Sequence, residues 1–131
     1  MISSEYIAGL FDGEGCIHVS KQETGVHYKV SIHQKHLPFI TYLRETLGFG
    51  KVRLMNAAWA VQFENKADII RFLVPIIPFL ILRKAEAEIM VQLCSINRKK
   101  GRPVEVDFTK EEQEQLISDL RAAFDKRKAG V

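Results

Sequence analysis

The chain has 131 residues, 47% of them hydrophobic, enough for one compact domain with its own core and too few for two. Nineteen basic residues against 16 acidic ones give a net charge of +3 and a pI near 8.9, which permits a polyanionic partner without requiring one. The most apolar stretch, residues 69–82, holds Arg71, Pro75 and Pro78 and falls short of the roughly 20 residues that cross a membrane, so it is expected to be buried core rather than a membrane segment.

In chain order, residues 5–11 suit a short helix. The Asp12-Gly13-Glu14-Gly15 run is expected to stop it, because glycine tolerates the positive φ of a helix end, and to leave Glu14 at the terminus. Residues 16–22 alternate, with Ile17 and Val19 on one face and His18, Ser20 and Gln22 on the other, the period of a half-buried strand. Residues 28–33 repeat that period, setting Tyr28, Val30 and Ile32 inward and Lys29, Ser31 and His33 outward, and Glu23-Thr24-Gly25 supplies a hairpin turn between the runs. Pro38 opens an amphipathic helix that runs to Leu47, with Gly48 where a left-handed cap belongs.

A second hairpin joins residues 51–55 to residues 59–64. Val52, Leu54, Trp59, Val61 and Phe63 point one way, Lys51, Arg53, Gln62 and Glu64 the other, and Ala60 is a small exception. A helix beginning near Asn65 breaks at Pro75 and Pro78 and resumes from Arg83 to Lys99, with Ala87, Met90, Val91 and Cys94 as its apolar stripe. Thr109 followed by Glu112 reads as a capping box. Leu116, Ile117, Leu120 and Phe124 then give a helix over residues 109–127 one apolar side that should dock on the core. Antiparallel strands with helices make the expected fold α+β, in a single domain with a core over 1–100 and a linker and packing helix over 101–131. Cys16 and Cys94 form no CxxC pair, and no leader-like segment opens the chain. An intracellular, reducing setting is therefore expected, whether a prokaryotic cytoplasm or an organelle matrix.

The run Tyr6-Ile7-Ala8-Gly9-Leu10-Phe11-Asp12-Gly13-Glu14-Gly15 resembles the motif of the LAGLIDADG homing endonucleases, with Ala8, Gly9, Asp12 and Gly15 in register and an alternating strand directly after it. The departures are Ile7, Phe11, Gly13 and Glu14, of which only Glu14 touches the chemistry, since it lengthens the usual acid by one methylene. The resemblance covers residues 5–99 and implies an αββαββα core whose antiparallel sheet binds DNA. It leaves the segment beyond Gly101 unassigned. It further implies an intron-encoded enzyme that cuts both strands of a long, partly palindromic duplex site and leaves 3′ overhangs. The single motif implies a homodimer, with Ala8, Gly9, Phe11 and Asp12 in the subunit contact; small Ala8 and Gly9 would let two helices approach closely, and Asp12 would support the helix end rather than bind metal.

The carboxylates of two Glu14 residues brought together would repel unless a cation lay between them. Hard-cation chemistry makes Glu14 and the Gly13 carbonyl the expected ligands of magnesium, or of manganese or calcium in the same place. By the same resemblance Gln34 would help place the attacking water, and Arg83, with Lys84 beside it, would stabilise charge developing on the phosphate. An ordinary basic helix start explains Arg83 and Lys84 equally well. His18, Ser20, Gln22, Lys29, Ser31, His33, Lys51, Arg53 and Gln62 form a donor-rich sheet face suited to a major groove, although a solvated face has the same composition. His18, His27, His33 and His36 lack zinc-ligand spacing. Two other readings use the same scaffold, an RNA-splicing maturase that would bind intron RNA and a DNA-binding module without catalysis. A protein that only makes interactions would leave the helix-end acid unexplained.

Overall fold

A computed structural model describes residues 2–23, 25–95 and 110–130. Its elements are α1 (Ser4–Glu14), β1 (Gly15–Gln22), β2 (Gly25–Gln34), α2 (Leu37–Leu47), β3 (Lys51–Met55), β4 (Ala58–Phe63), α3 (Lys66–Leu73), a 3-10 turn at Ile77–Phe79, α4 (Lys84–Cys94) and α5 (Lys110–Lys128). The strands form one antiparallel sheet in the order β1-β2-β4-β3, which leaves β1 and β3 at the edges. The fold is α+β, as expected.

Local chemistry sets the helix starts. The side chains of Ser3, His36 and Asn65 each accept a hydrogen bond from the backbone N–H three residues on, at 3.1, 3.3 and 2.8 Å. Gly48 ends α2 at φ 83°, the left-handed cap expected there. At the end of α1 the structure departs from expectation. The helix does not stop after Phe11 but runs through Asp12, Gly13 and Glu14, and Gly15 caps it in an extended conformation at φ −86°. Gly15 is needed for space instead. A Cβ there would lie 2.4 Å from the Phe11 ring and 2.5 Å from the Phe11 carbonyl oxygen.

The helices cover one face of the sheet and build a single cluster with it. Val30, Ile32, Val61 and Phe63 come from the strands, and Phe11, Ile40, Leu43, Ile69, Phe72, Leu73, Met90 and Leu93 from the helices. Phe72 stacks on Phe63 at 4.5 Å and meets Phe11 edge-on at 5.6 Å, linking β4 to α1 through α3. Ile117 and Leu120 of α5 join the same cluster, while Leu116 and Phe124 are half-buried. On β2, the Tyr28 hydroxyl accepts a hydrogen bond from Gln113 of α5 at 2.7 Å. The capping-box residue Thr109, the turn residue Thr24 and residues 96–99 of the expected long helix lie outside the described residues.

Three expectations of burial fail. Residues 69–82 are not core throughout: Val74, Phe79, Ile81 and Leu82 expose 49, 45, 84 and 61% of their surface, because the chain breaks at Pro75 and Pro78 and leaves the sheet-covering layer. Val52 and Leu54 have the inward parity but expose 36 and 60%, because β3 is an edge strand. In α4, Leu93 is buried and Val91 only half so. Among the described residues no helix is long and apolar enough to cross a membrane.

Replacing Gly15 by alanine is expected to cost about 1–3 kcal/mol, the usual penalty for overpacking, in chemical denaturation. A stability loss below that range would mean that the Phe11 ring can move aside.

Candidate functional site

The site lies where α1 ends and β1 begins. Asp12, in the last turn of α1, accepts hydrogen bonds from three successive backbone N–H groups: Ile81 at 2.8 Å, Leu82 at 3.2 Å and Arg83 at 3.0 Å. These N–H groups precede the first turn of α4, so the carboxylate caps one helix from the end of another and meets the positive end of its dipole. In return, the Arg83 Nε–H donates to the Phe11 carbonyl at 3.0 Å, a second donor to an oxygen that also accepts from the Gly15 N–H at the helix end. Arg83 is half-buried. Burial first, and then the charge of Arg127, hold its pKa below the ordinary value, while Glu86, Cys16 and Asp12 pull the other way. A guanidinium so placed stays charged.

This exchange of caps settles where Glu14 stands. It is exposed at the C-terminal residue of α1, next to exposed Gly13, and β1 follows immediately. Register pairs Gly15 with Ile32, so β2 brings His33 opposite the end of α1. His33 feels the Glu14 charge, which raises its proton affinity, but burial and Lys29 outweigh it and leave the pKa below the ordinary value. Its Nε2 lies 2.8 Å from the Ser31 hydroxyl. Gln34, expected beside the acid, is in register with Trp59 and Leu54 on the opposite parity, and its side-chain oxygen accepts from the Lys35 N–H at 3.2 Å. The β2 side chain brought into electrostatic contact with Glu14 is thus His33. Lys84 is exposed at the first position of α4.

The remaining candidates lie on the open face of the sheet in cross-strand rows. Cys16, Ser31, Gln62 and Lys51 form one row, His18 and Lys29 a second, Ser20 and His27 a third, and His33, Ala60 and Arg53 a fourth. His18, Ser20, Gln22, His27, Lys29 and Glu64 line a groove of about 330 Å³. Two of the nine residues read as open donors are not open. Ser31 and Gln62 are only 1 and 3% exposed; Ser31 meets His33, and the Gln62 amide donates to the Met55 sulfur. Arg53 reaches along the strand to Glu64 at 3.6 Å with both side chains about half exposed, a pair that is weak in water and easily exchanged for an anionic partner. His27 and Cys16 share this face, though neither is among the nine donors expected on it. The alternation contained both, but His27 precedes the core-facing Tyr28 that opened the reading, and Cys16 resembles a core residue.

The exposed side of α1 differs from the expected one. Ala8 and Phe11 are fully buried in the subunit's own core, so neither can serve a subunit contact, because the helix turns that side to the sheet. The open side carries Tyr6, Gly9 and Gly13, and nothing lies within 4 Å of a Cβ built on either glycine. Ile81 and Leu82, tied by their N–H groups to Asp12, extend this apolar surface at one end, and Ile2, Ser3, Tyr6, Phe39 and Tyr42 line a shallow hollow at the other.

The chain matches, over residues 7–82, the family model described as LAGLIDADG endonuclease. No curated protein sequence matches it. Among solved structures it is similar to the homing endonuclease I-CvuI in complex with the I-CreI target, at 16% identity over 92% of this chain and 94% of that one, with a TM-score of 0.64. It is also similar to the archaeal intron-encoded homing endonuclease I-Vdi141I complexed with DNA, at 17% identity over 92 and 96% of the two chains, with a TM-score of 0.60. The meganuclease I-AabMI bound to uncleaved DNA gives 18% identity, 91% of this chain, 44% of that one and a TM-score of 0.71. At these identities the structural likeness establishes the α+β fold.

Asp12→Ala removes the acceptor for three N–H groups and is expected to cost about 2 kcal/mol, as loss of a strong helix cap does. Hydrogen exchange at the amides of Ile81, Leu82 and Arg83 should accelerate more than elsewhere; uniform acceleration would show that the cap contributes only to global stability.

Proposed function

The chain belongs to the LAGLIDADG endonuclease family, and from that premise we propose that it is a site-specific DNA endonuclease that acts as a homodimer on a long, partly palindromic duplex. It would cut each strand once and leave 3′ overhangs. The observation that carries this reading is the exposed Glu14 carboxylate at the end of α1, held in place by the Asp12 cap and flanked by a donor-rich sheet face.

The donor set suits a hard cation but is incomplete in one copy. Among the described residues no group of three or more His, Cys, Asp or Glu could hold a metal ion. Each chain offers one carboxylate, Glu14, and the Gly13 carbonyl, whereas magnesium takes six oxygens. A second chain, phosphate oxygens and water would supply the rest, which is why the catalytic and dimeric readings stand together. Bound there, magnesium, or manganese or calcium in its place, would activate water and stabilise the leaving oxygen.

The chain's own groups have separate tasks in this reading. Glu14 and Gly13 bind the cation. Arg83, anchored through Nε to the Phe11 carbonyl, keeps its remaining N–H groups for the phosphate that gains charge, and Lys84 adds a positive charge beside it. Gln34 would orient the attacking water once DNA is bound. His18, Ser20, Gln22, Lys29, His33, Lys51 and Arg53 would divide between base edges and phosphates, and Ser31 and Gln62 would hold neighbouring side chains in place. In the dimer, Gly9 and Gly13 would let two α1 helices approach closely, with Tyr6, Ile81 and Leu82 as the surrounding apolar contact.

Glu14→Gln is expected to reduce cleavage of a selected duplex below detection while DNA affinity changes by less than about tenfold, because phosphate contacts carry most of the binding. Cutting at the parent rate would remove Glu14 from the metal site. Leu82→Glu should weaken the dimer by about thirtyfold, the ~2 kcal/mol of an interface hot spot, in sedimentation at graded concentrations. A parent chain that cuts as a monomer would overturn the dimeric reading.

A further inference from the structure

Glu86 occupies the first turn of α4 and is 1% exposed. One carboxylate oxygen accepts from the Arg127 guanidinium of α5, with side-chain exposures of 2 and 18%, and the other is buried with no hydrogen-bond partner among the described residues. Arg83 precedes Glu86 by three residues, the spacing of neighbours on a helix surface, and lies within electrostatic reach of both Glu86 and Arg127. Two guanidinium groups thus stand around one carboxylate. Arg127 holds it, and Arg83 is bonded instead to the Phe11 carbonyl, beside the end of α1 that carries Glu14.

We propose that Arg127 is a positioning residue: by occupying Glu86 it prevents that carboxylate from capturing Arg83, and so keeps Arg83 at the end of α1. A buried carboxylate without its cation is costly, and Arg83, three residues before Glu86 and within electrostatic reach of it, is a guanidinium able to relieve it. If Arg127 lost its charge, Arg83 would turn along its own helix toward Glu86, form an internal ion pair and release Phe11. The last turn of α5 therefore decides where a residue on α4 points. This inference rests on the reading of Arg83 as the cation beside the cleaved phosphate, but its geometric part can be measured without cleavage.

The test follows the Arg83 Nε–H by nuclear magnetic resonance in the isotope-labelled full chain, the signal being identified by its disappearance in Arg83→Lys. In Arg127→Gln this proton is expected to exchange with water about tenfold faster, the scale of coupling between side chains in contact. Arg127→Lys keeps the charge, and the double variant Glu86→Gln with Arg127→Gln removes the competing carboxylate. Both should return the proton to within about threefold of the parent. Cleavage should follow the same order, with the rate at saturating DNA falling in Arg127→Gln and recovering in the double variant while KM stays unmoved. An unchanged Arg83 proton in Arg127→Gln overturns the proposal, and so does a double variant that exchanges as fast as Arg127→Gln, which assigns Arg127 to the docking of α5 alone. Failure of the catalytic reading has a different signature, Arg83→Gln cutting at the parent rate.

Discussion

The site depends on a reciprocal bond between two helix ends. The start of α4 has N–H groups without partners in their own helix, and Asp12 of α1 accepts from residues 81–83; in return Arg83 donates to the Phe11 carbonyl, which also accepts from the Gly15 N–H. Unsatisfied backbone groups at these ends would cost more than most side-chain contacts contribute. The arrangement ties the end of α1, and with it Glu14 and the start of β1, to the first turn of α4. It also explains two charged residues adjoining each other without pairing directly, since Asp12 serves backbone and Arg83 serves backbone.

Charge around this junction is balanced within a small volume. Asp12 and Glu86 are both acids at the positive end of α4, where the helix dipole favours them, and Arg83 and Arg127 offset them. The pairing between Glu86 and Arg127 is cross-element, so it ties α5 to the same junction. Hydrophobic burial of Ile117 and Leu120 would dock α5 without such a pair; the ion pair specifies where along α4 the helix comes to rest.

Much of this was legible in the sequence. Period-two alternation gave all four strands and the inward faces of β1, β2 and β4 but not the exposure of Val52 and Leu54 on edge strand β3, and capping chemistry gave Gly48 and the start of α3 near Asn65. The motif placed Glu14 at a helix terminus. What was not legible depended on which way a helix faces. Ala8 and Gly9 are adjacent and both small, but a helix turns about 100° per residue, so one is buried and the other open. Apolar character likewise could not tell core from exposed surface in residues 79–82, of which Leu80 is buried and Phe79, Ile81 and Leu82 are open. That His33 rather than Gln34 comes opposite the end of α1 follows from the β1–β2 register, and the Glu86–Arg127 pair joins residues 41 positions apart, beyond the reach of any local pattern.

Helix α5 has 19 residues, about 28 Å at the usual rise. It is fastened at one end to the β1–β2 hairpin through Gln113 on Tyr28 and Glu114 near Lys21, and at the other to α4 through Arg127. A helix resists stretching because its hydrogen bonds run along its axis, so it acts as a splint laid against the back of the hairpin. Such a splint would resist a change in the sheet's curvature when something lies on its open face. On the proposed function, a duplex seated there would have to supply the bending, and sequences that deform cheaply would be favoured at positions no side chain touches.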